Sequence, residues 1–441
     1  MGQTQPDYAP DLRELLAARP AFEMHAQDGL CFEDVPLNAI ADAHGTPVWV
    51  YGAASIRARY AALNAALGAR GLNVHVHYAV KANDHLAILD LFHGLGAGAD
   101  VVSLGEFMRT QRAGIPARDV VFSGVGKSPA EIGAAVAAGI GQINVESAEE
   151  LNMISGIAAQ MGRTAQVALR MNPDVDAGTH EKITTGLAEN KFGLPAEEIP
   201  RLYAHAAKLP GIQPVGIAMH IGSQILSAAP YAQAYAKAAA MVRKLRDIGQ
   251  NVSVLDLGGG LGIGYGDEPG ISLPAFAGVV HREVGGLDVQ LLLEPGRYLI
   301  GPAGLLLSSV ILEKHSGEKR FIVLDSAMND LARPAMYDAW HGILPVGAVD
   351  FAAAASPADV VGPVCESADS FATGRAMPEM RPGARVAILD AGAYGAVMSS
   401  TYNARPRAAA VMVEGGNFHL ITPRQKVEDL WANETLPRKA G

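Results

Sequence analysis

The sequence predicts a (β/α)8 barrel of the TIM type, followed by a mainly β C-terminal domain of the sandwich or barrel kind. Between about residues 48 and 310, short β-branched runs alternate with longer Ala- and Leu-rich stretches at helical spacing, which indicates parallel βαβ units. Eight such units match the size of this barrel, and a doubly wound open sheet is the alternative. After about residue 310, Gly and Pro separate strand-like runs that lack regular intervening helices.

The predicted barrel elements alternate in order along the chain, as parallel strands require crossover connections. The eight strands are predicted at residues 74–80, 99–103, 120–123, 142–145, 166–170, 215–220, 253–257 and 290–293. The clearest intervening helices are predicted at residues 56–67, 130–138, 148–161, 231–248 and 273–284.

Two domains are expected because 441 residues are too many for one compact core. Residues 48–310 are predicted to form the barrel, and residues 1–47 plus 311–441 the mainly β domain. Strands of the second domain are predicted at residues 310–311, 321–324, 385–389, 410–413 and 418–421, and the N-terminal runs 30–32 and 36–37 are assigned to it.

Composition limits the partners and the compartment. The net charge of −10 argues against nucleic acid or an anionic membrane as the main partner. Two cysteines are too few for a disulfide framework and suit a reducing compartment, so a cytoplasmic location is expected. Residues 1–20 lack the apolar core of a signal peptide, and no apolar run of about 18 residues indicates a transmembrane helix.

Polar residues mark the C-terminal end of every predicted barrel strand. Barrels of this type place their active sites at that end, so we expect one site there, and no metal ligands are predicted in it. The polar residues are, in chain order, Lys81, Ser103, Glu106, Ser123, Glu146, Arg170, Asn172, His220, Ser223, Asp256, Glu294 and Arg297.

Lys81 ends the apolar run 74–80 and is followed by small and polar residues. An ammonium group that is partly removed from water has a lowered pKa and becomes a nucleophile toward carbonyl groups, as a Schiff base requires. The alternative for this residue alone is a strand-end lysine that extends its amine into solvent.

A glycine run and a Glu-Pro-Gly-Arg motif follow the seventh and eighth predicted strands. The glycines at 258–260 allow backbone amides to surround an anion, although their spacing fails the dinucleotide fingerprint. The motif at 294–297 lies where barrels often bind phosphate. Beside a Schiff-base lysine, both suggest pyridoxal 5'-phosphate, whose pyridine nitrogen an acid would keep protonated. A surface turn and a simple salt bridge are the alternatives.

His220 and Ser223 follow the sixth predicted strand and are candidates for binding the same cofactor. An imidazole at this place could stack on the cofactor ring, and a hydroxyl could bind its phosphate. A hydrogen-bonded core histidine is the alternative.

The second domain contributes two further candidate groups. Cys365 stands beside Glu366 in a loop shaped by Gly and Pro, and its ordinary pKa of about 8.5 keeps the thiol mostly protonated near neutrality, so it is a candidate proton donor. Arg333 and Tyr337 could bind a carboxylate. A small buried cysteine and a surface arginine are the alternatives.

Across nearly its whole length the chain resembles the diaminopimelate decarboxylases, within the alanine-racemase-like (fold-type III) pyridoxal-phosphate-dependent decarboxylases. The lysine, glycine and Glu-Pro-Gly-Arg motifs are shared with ornithine and arginine decarboxylases, whereas Arg-Pro-Ala-Met-Tyr at 333–337 and Cys-Glu-Ser at 365–367 are the specific ones. The remaining matching motifs are at residues 189–193, 220–224, 362–369 and 402–407.

The resemblance implies a homodimer with shared active sites, in which the loop of Cys365 and Glu366 enters the partner's site. It implies that Lys81 carries the cofactor as a Schiff base and that His220 stacks on its ring. Phosphate would be held by Ser223, Gly260, Glu294, Pro295, Gly296 and Arg297, with Glu294 also facing the pyridine nitrogen and Tyr394 reaching the cofactor.

The resemblance also implies the substrate contacts and the reaction. Arg297, Arg333 and Tyr337 would bind the distal carboxylate of meso-diaminopimelate, and Glu366 and Tyr394 would complete the substrate site. Carbon dioxide leaves, Cys365 or Lys81 returns a proton to Cα, and L-lysine is released. The alternatives are a related decarboxylase for ornithine, lysine, arginine or carboxynorspermidine, and a non-catalytic protein that binds pyridoxal phosphate.

Overall fold

A computed structural model describes residues 10–177, 191–348 and 355–437. The chain divides into two compact units. Unit 1 comprises Ile56–Gly264 and Glu268–Gly301. Unit 2 comprises the described residues up to Ser55, Tyr265–Asp267 and the described residues from Pro302 onward.

The chain begins with elements of unit 2. Helix α1 starts with a capping box, in which Asp11 accepts from the Glu14 amide and Glu14 from the Asp11 amide. The strands β1 to β3 form an antiparallel sheet. These first elements are α1 (Leu12–Ala17), β1 (Phe22–His25), β2 (Gly29–Phe32), β3 (Val35–Pro36), α2 (Leu37–His44) and β4 (Val48–Gly52).

Unit 1 is a closed parallel barrel. Its first elements are α3 (Ala53–Gly68), β5 (Val74–Ala79), α4 (Leu86–Gly94), β6 (Gly98–Val101), α5 (Leu104–Arg112), β7 (Val120–Phe122), α6 (Pro129–Ala138), β8 (Gln142–Val145), α7 (Ala148–Gln160) and β9 (Ala165–Asn172). Its later elements are β10 (Leu194–Pro195), α8 (Ile199–Ala206), β11 (Ile212–Ala218), α9 (Ala229–Asp247), β12 (Val254–Asp256), α10 (Leu273–Val284), β13 (Gln290–Leu293) and α11 (Arg297–Ile300). Strand β13 pairs with β5 and β8 pairs with β9, so eight strands close the circle and β10 lies beside β9.

The predicted barrel is confirmed, and its eight strands lie at the expected places. Every residue of β6, β7 and β8 is buried, as strands covered on both faces require. Ser103, Ser128, Ser147 and Ser272 each accept a backbone N–H at the start of a helix. These caps place the turn between strand and helix, and therefore the strand end where the predicted site residues lie.

The rest of unit 2 is mainly β. It contains β14 (Gly304–Ser316), β15 (Lys319–Leu324), α12 (Arg333–Tyr337), β16 (Ile343–Pro345), β17 (Ser356–Val361), β18 (Ser370–Met377), β19 (Arg385–Ile388), β20 (Ala409–Glu414) and β21 (Asn417–Thr422). One sheet runs in the order β18-β17-β15-β14-β4-β20-β21, while β19 pairs with β14 and β16. Its core includes Phe32, Val50, Leu307, Leu389 and Val411.

The mainly β character predicted from the sequence is confirmed, but several strands were missed. The sequence did not predict β4, β16, β17 or β18, whose residues are short apolar runs or mix Ser, Thr and Arg with apolar residues. Their pairing across the sheet stabilises them, and single-strand patterns do not record it. In the part of the chain that the structure describes, no helix is long and apolar enough to cross a membrane.

Candidate active site

Lys81 lies two residues beyond the end of β5, in a single 3-10 turn. Its Nζ is 2.6 Å from Oδ2 of Asp100, which is fully buried on β6. The Lys81 side chain is 30% exposed, so the amine stands at the open end of the barrel. Oδ1 of Asp100 is buried and has no hydrogen-bond partner among the described residues, which marks a place for a further polar group.

A buried polar network joins residues of β8 and β12 with the residues that follow β7 and β13. Nδ2 of Asn144 lies 3.0 Å from Oδ2 of Asp256 and 3.4 Å from Oε1 of Glu294. Oγ of Ser123 donates to the same Glu294 oxygen at 3.4 Å, and Gln142 donates to Oδ1 of Asn144 at 2.7 Å. The network fixes both carboxyl groups inside the barrel although their residues come from separate strands.

Burial shapes the acidity of this network. Desolvation, followed by the charges of Asp100 and Asp256, holds the pKa of Glu294 well above its ordinary value, while Lys81 acts in the opposite direction. Desolvation also raises the pKa of Asp256. Asp100, Asp256 and Glu294 therefore lie near a single lysine, Lys81. A cationic nitrogen beside Glu294 would stabilise the ionised form of its carboxyl group. The network fits the protonated pyridine nitrogen of pyridoxal phosphate.

The glycine run after β12 lies against neighbouring backbone. A Cβ on Gly258 would stand 2.2 Å from the Met219 carbonyl oxygen, and one on Gly260 would stand 2.4 Å from the Gly222 carbonyl oxygen. Both glycines also have positive φ values, 66° and 96°. Only glycine allows this close packing of two turns, so the backbone forms a cradle of the kind that holds a phosphate group.

The His220 ring is neutral and its tautomer is defined. The Gly259 amide donates to Nδ1 of His220 at 3.2 Å, so the ring proton lies on Nε2. Desolvation, followed by the positive charges of Lys81 and Arg170, holds the pKa of His220 well below its ordinary value. A neutral ring fixed by backbone is suited to stacking on an aromatic cofactor.

Ser223 and Arg297 lie close together, as the sequence predicted for residues of one site. Nη2 of Arg297 donates to Oγ of Ser223 at 3.0 Å, and the guanidinium is buried. Pro295 and Gly296 precede Arg297 and are buried as well. Unit 1 therefore brings together the predicted residues Lys81, His220, Ser223, Gly260, Glu294, Pro295, Gly296 and Arg297 at one end of the barrel.

Arg170 and Glu146 form a second charged pair at the strand ends. Nη1 of Arg170 is 2.5 Å from Oε1 of Glu146, and Oε2 of Glu146 accepts from the Gly193 amide at 2.7 Å. The Arg170 guanidinium also lies 5.0 Å from the Phe192 ring centroid. The pair anchors the end of the motif at 189–193, whose Glu189 and Asn190 lie outside the described residues.

Arg333 occupies the first position of α12 in unit 2 and is buried. Its Nη1 is 2.7 Å from Nε2 of His341, and its guanidinium carbon lies 4.7 Å from the Tyr265 ring centroid. Tyr337 ends the same helix and is half-buried, as is Tyr394. Arg333 therefore has a fixed position, which a residue that binds a carboxylate needs.

The loop of Cys365 and Glu366 is held by an acid. The carboxylate of Asp369 accepts from the Val364 amide at 2.7 Å and from the Met328 amide at 2.7 Å. Gly362 is needed beside it, since a Cβ there would stand 2.3 Å from an Asp369 oxygen. Cys365 and Glu366 themselves are exposed at the surface of the single chain.

Several residues of these clusters were not predicted from the sequence, among them Asp100, Asn144 and His341. Asp100 stands inside the apolar run 97–102, and an acid in a fully buried strand is a signal that could have identified it. Asn144 stands inside β8 and faces the acids only because the barrel closes. His341 follows a tryptophan and gave no pattern that separates it from a core histidine.

Comparisons with known proteins agree with this geometry. A family model described as "Pyridoxal-dependent decarboxylase, pyridoxal binding domain" matches residues 53–301. The chain is 46% identical over 409 residues to the diaminopimelate decarboxylase of Zymomonas mobilis subsp. mobilis, covering 92% of this chain and 96% of that protein.

Solved structures give the same result. The diaminopimelate decarboxylase of M. jannaschii in complex with L-lysine aligns with a TM-score of 0.90 and 34% identity, covering 95% of this chain and 99% of that one. The Helicobacter pylori enzyme complexed with L-lysine aligns with a TM-score of 0.86 and 39% identity, covering 89% of this chain and 98% of that one.

Proposed function

Because the chain belongs to the pyridoxal-dependent decarboxylases, we infer that it converts meso-2,6-diaminopimelate to L-lysine and carbon dioxide with pyridoxal 5'-phosphate as cofactor. This is the last step of lysine biosynthesis. The observation that carries the inference is the Lys81–Asp100 pair beside the buried acids Asp256 and Glu294. An amine, and an environment that favours a cationic nitrogen, are the two requirements of this cofactor.

Residues of unit 1 would hold the cofactor. Lys81 would bind its aldehyde carbon, and Glu294 would bind and keep protonated its pyridine nitrogen. His220 would lie against the ring, while the glycine cradle, Ser223 and the backbone of residues 294–297 would bind the phosphate. When bound, the cofactor accepts the electron pair that remains on Cα after carbon dioxide leaves.

Asp100 supports Lys81 in this proposal. Its Oδ2 holds the Lys81 amine at 2.6 Å and thereby fixes the position from which the amine approaches a carbonyl. The buried oxygen Oδ1 can accept a further hydrogen bond from a group bound at the site. Asp100 thus orients the amine and adds negative charge near the place of a cationic nitrogen.

The proton that replaces carbon dioxide would come from Cys365. Its Sγ–H donates to Cα while the other three substituents of that carbon remain in place, and Lys81 is the alternative donor on the opposite face. The exposed position of Cys365 on a single chain supports its entry into the site of a second copy, as the shared-site homodimer requires.

Two groups of residues would select the substrate. Arg297, Arg333 and Tyr337 would bind the distal carboxylate, and Glu366 would bind the distal ammonium, with Tyr394 beside it. A substrate without the second carboxylate would leave a buried guanidinium without that partner, which lowers affinity. The pairing of both groups favours diaminopimelate over ornithine or arginine.

The proposed assembly is a homodimer in the cytoplasm, with domains at residues 48–310 and at 1–47 plus 311–441. The two compact units support the division into domains. Sedimentation should give a dimer mass, and mixed Lys81→Ala and Cys365→Ala subunits should regain activity because one of the two shared sites is then intact. A monomer mass, or no regained activity in a mixed dimer, would contradict the shared site.

Product analysis tests the proposed reaction. The purified, cofactor-loaded protein is offered meso-diaminopimelate, ornithine, lysine, arginine and carboxynorspermidine separately, and carbon dioxide and amine are measured. We expect L-lysine from diaminopimelate and little turnover of the others. Turnover of another substrate instead would overturn the specificity, and bound cofactor without any turnover would favour a non-catalytic carrier.

A further inference from the structure

His341 is fully buried in unit 2 and makes hydrogen bonds through both ring nitrogens. Nε2 lies 2.7 Å from Nη1 of Arg333, and Nδ1 lies 2.7 Å from the carbonyl oxygen of Leu389. The ring also meets the Tyr265 ring edge-on, with centroids 5.3 Å apart. The imidazole is therefore held on three sides, and it connects the start of α12 with the residue that follows β19.

The two partners determine the protonation of His341. A carbonyl oxygen can only accept a hydrogen bond, so Nδ1 must carry a proton and donate to Leu389. A guanidinium can only donate, so Nε2 must be unprotonated and accept from Arg333. His341 is thus neutral and carries its proton on Nδ1. A second ring proton would place an N–H against the guanidinium N–H at 2.7 Å.

A second arginine contacts the same residue through the backbone. Nη1 of Arg375, on β18, donates to the carbonyl oxygen of His341 at 3.0 Å, and its guanidinium carbon lies 4.2 Å from the Trp340 ring centroid. Arg375 is buried, and desolvation lowers its pKa to about 10. These two contacts of Arg375, a carbonyl oxygen and an aromatic ring, add no negative charge.

Two other buried arginines of unit 2 are held by carboxylates. Arg19 is bound by the Asp390 carboxylate at 2.5 Å, and Arg320 by the Glu313 carboxylate at 2.8 Å. Such a contact orients a guanidinium but also competes with any incoming carboxylate. Arg333 contacts two groups without charge, His341 and Tyr265, and these contacts orient its guanidinium.

We propose that His341 is a positioning residue for substrate specificity, which holds Arg333 through Nε2 so that the guanidinium meets the distal carboxylate of the substrate. Arg375, held on the carbonyl of the same residue, adds positive charge that favours an anion. The proposal rests on the proposed role of Arg333 in binding diaminopimelate.

The neutral contact has a definite advantage for binding. The guanidinium has five N–H groups, and the bond to His341 uses one of them on a partner without charge. The orientation of Arg333 is then fixed before the substrate arrives, which reduces the entropy lost on binding. His341 should therefore affect ligands that carry the distal carboxylate and leave other ligands nearly unaffected.

A matched pair of substitutions tests this in the cofactor-loaded, full-length enzyme. His341→Asn keeps a short amide that can donate to Leu389 but cannot reach Arg333, whereas His341→Gln can place an amide oxygen near the position of Nε2. We expect His341→Asn to raise KM for meso-diaminopimelate about tenfold or more with a smaller change in kcat, and His341→Gln to recover most of the loss.

The diamine 1,5-diaminopentane, which lacks the distal carboxylate that diaminopimelate and the product L-lysine both carry, provides the internal control. Its inhibition constant should change less than twofold in both variants. The inhibition constant of L-lysine should instead rise together with KM. The proposal is overturned if His341→Asn leaves KM for diaminopimelate unchanged, if the inhibition constant of the diamine rises equally, or if His341→Gln recovers nothing.

Two further measurements separate the proposal from its premise. Arg333→Ala should raise KM for diaminopimelate at least as much as His341→Asn; if it does not, the role of Arg333 fails rather than that of His341 alone. In the unaltered enzyme labelled with 15N-histidine, the His341 signal, identified by its absence in His341→Gln, should report an unprotonated Nε2. A protonated Nε2 would overturn the proposal even if His341→Asn does not fold.

Discussion

The barrel and the mainly β unit each contain a cluster of buried charged side chains, and the two clusters have opposite sign. In the barrel, the three buried acids Asp100, Asp256 and Glu294 form one cluster with Lys81 beside them, apart from the buried pair of Arg170 and Glu146 and from the buried Arg297. In the β unit, Arg333 and Arg375 lie buried around His341. Excess negative charge suits a cationic cofactor nitrogen, and excess positive charge suits a carboxylate on the substrate.

The difference also concerns how each charge is oriented. Neutral amides and hydroxyls, above all those of Asn144 and Ser123, hold the acids of the barrel. A neutral imidazole and aromatic rings hold the arginines of the β unit. In both units neutral groups help to fix a charged group in the position where a bound molecule would meet it.

Removal of the amine from the acidic cluster should have the largest effect. Lys81→Ala leaves no amine at the end of β5, so turnover should fall by at least about 1,000-fold, and the visible absorbance of the bound cofactor should disappear. Steady-state kinetics and absorption spectra measure both. Lys208→Ala, at an exposed lysine, should change neither. Retained turnover in Lys81→Ala would rule out its assignment.

Neutralising one acid should have the next largest effect. Glu294→Gln keeps the shape and the acceptor for Ser123 and Asn144 but loses the charge that would keep the pyridine nitrogen protonated, so kcat should fall about 100-fold. Cofactor affinity, from titration of the apoenzyme, should fall less. Glu428→Gln, at an exposed glutamate, serves as the control. An unchanged kcat would show that the charge of Glu294 is not needed for the reaction.

The two thiols distinguish a reacting group from a structural one. Cys365→Ala removes the proposed proton donor, so kcat should fall roughly 100-fold with little change in cofactor affinity. Cys31→Ala, at a buried thiol, should leave kcat unchanged and lower the free energy of unfolding by about 1 kcal/mol. Kinetics and urea denaturation measure these effects. Equal kcat values in both variants would exclude Cys365 as the donor.

Asp330 should show the smallest effect, as a pH dependence of stability. It is buried in unit 2, and desolvation raises its pKa from 3.8 to about 6, while the Ala327 amide and Arg405 oppose this. Between these values the folded state holds more protons than the unfolded state. The contribution of Asp330 is therefore fully present below pH 3.8 and is lost as the pH rises through about 6.

Asp330→Asn should remove a change in the free energy of unfolding, on the order of 1–3 kcal/mol, that the unaltered chain shows between pH 3.8 and about 6. Urea denaturation between pH 4 and pH 7 measures it. Asp247→Asn, at an exposed acid, should show the same pH dependence of the free energy of unfolding as the unaltered chain. Parallel profiles for Asp330→Asn and the unaltered chain would show that burial of this acid is not coupled to folding.

Local sequence patterns predicted most of the fold. The eight barrel strands were predicted because each contains a short, mostly apolar run that is followed by a turn and a stretch of helical period. The strands β17 and β18 were missed because their residues alternate little, and pairing with each other stabilises them. The mainly β class was nonetheless correct, since Gly and Pro punctuate that part of the chain.

The sequence by itself determined the barrel, the residue types at its strand ends and the positions of Lys81, Glu294 and the glycine run, because strand period and turn chemistry are local. Only the tertiary structure decided which neighbours these residues have. Asp100 on β6 contacts Lys81, which follows the neighbouring strand β5. Asn144 contacts Asp256 because the barrel closes. His341 is neutral because Arg333 and Leu389 are brought to its two nitrogens, and no local pattern contains that contact.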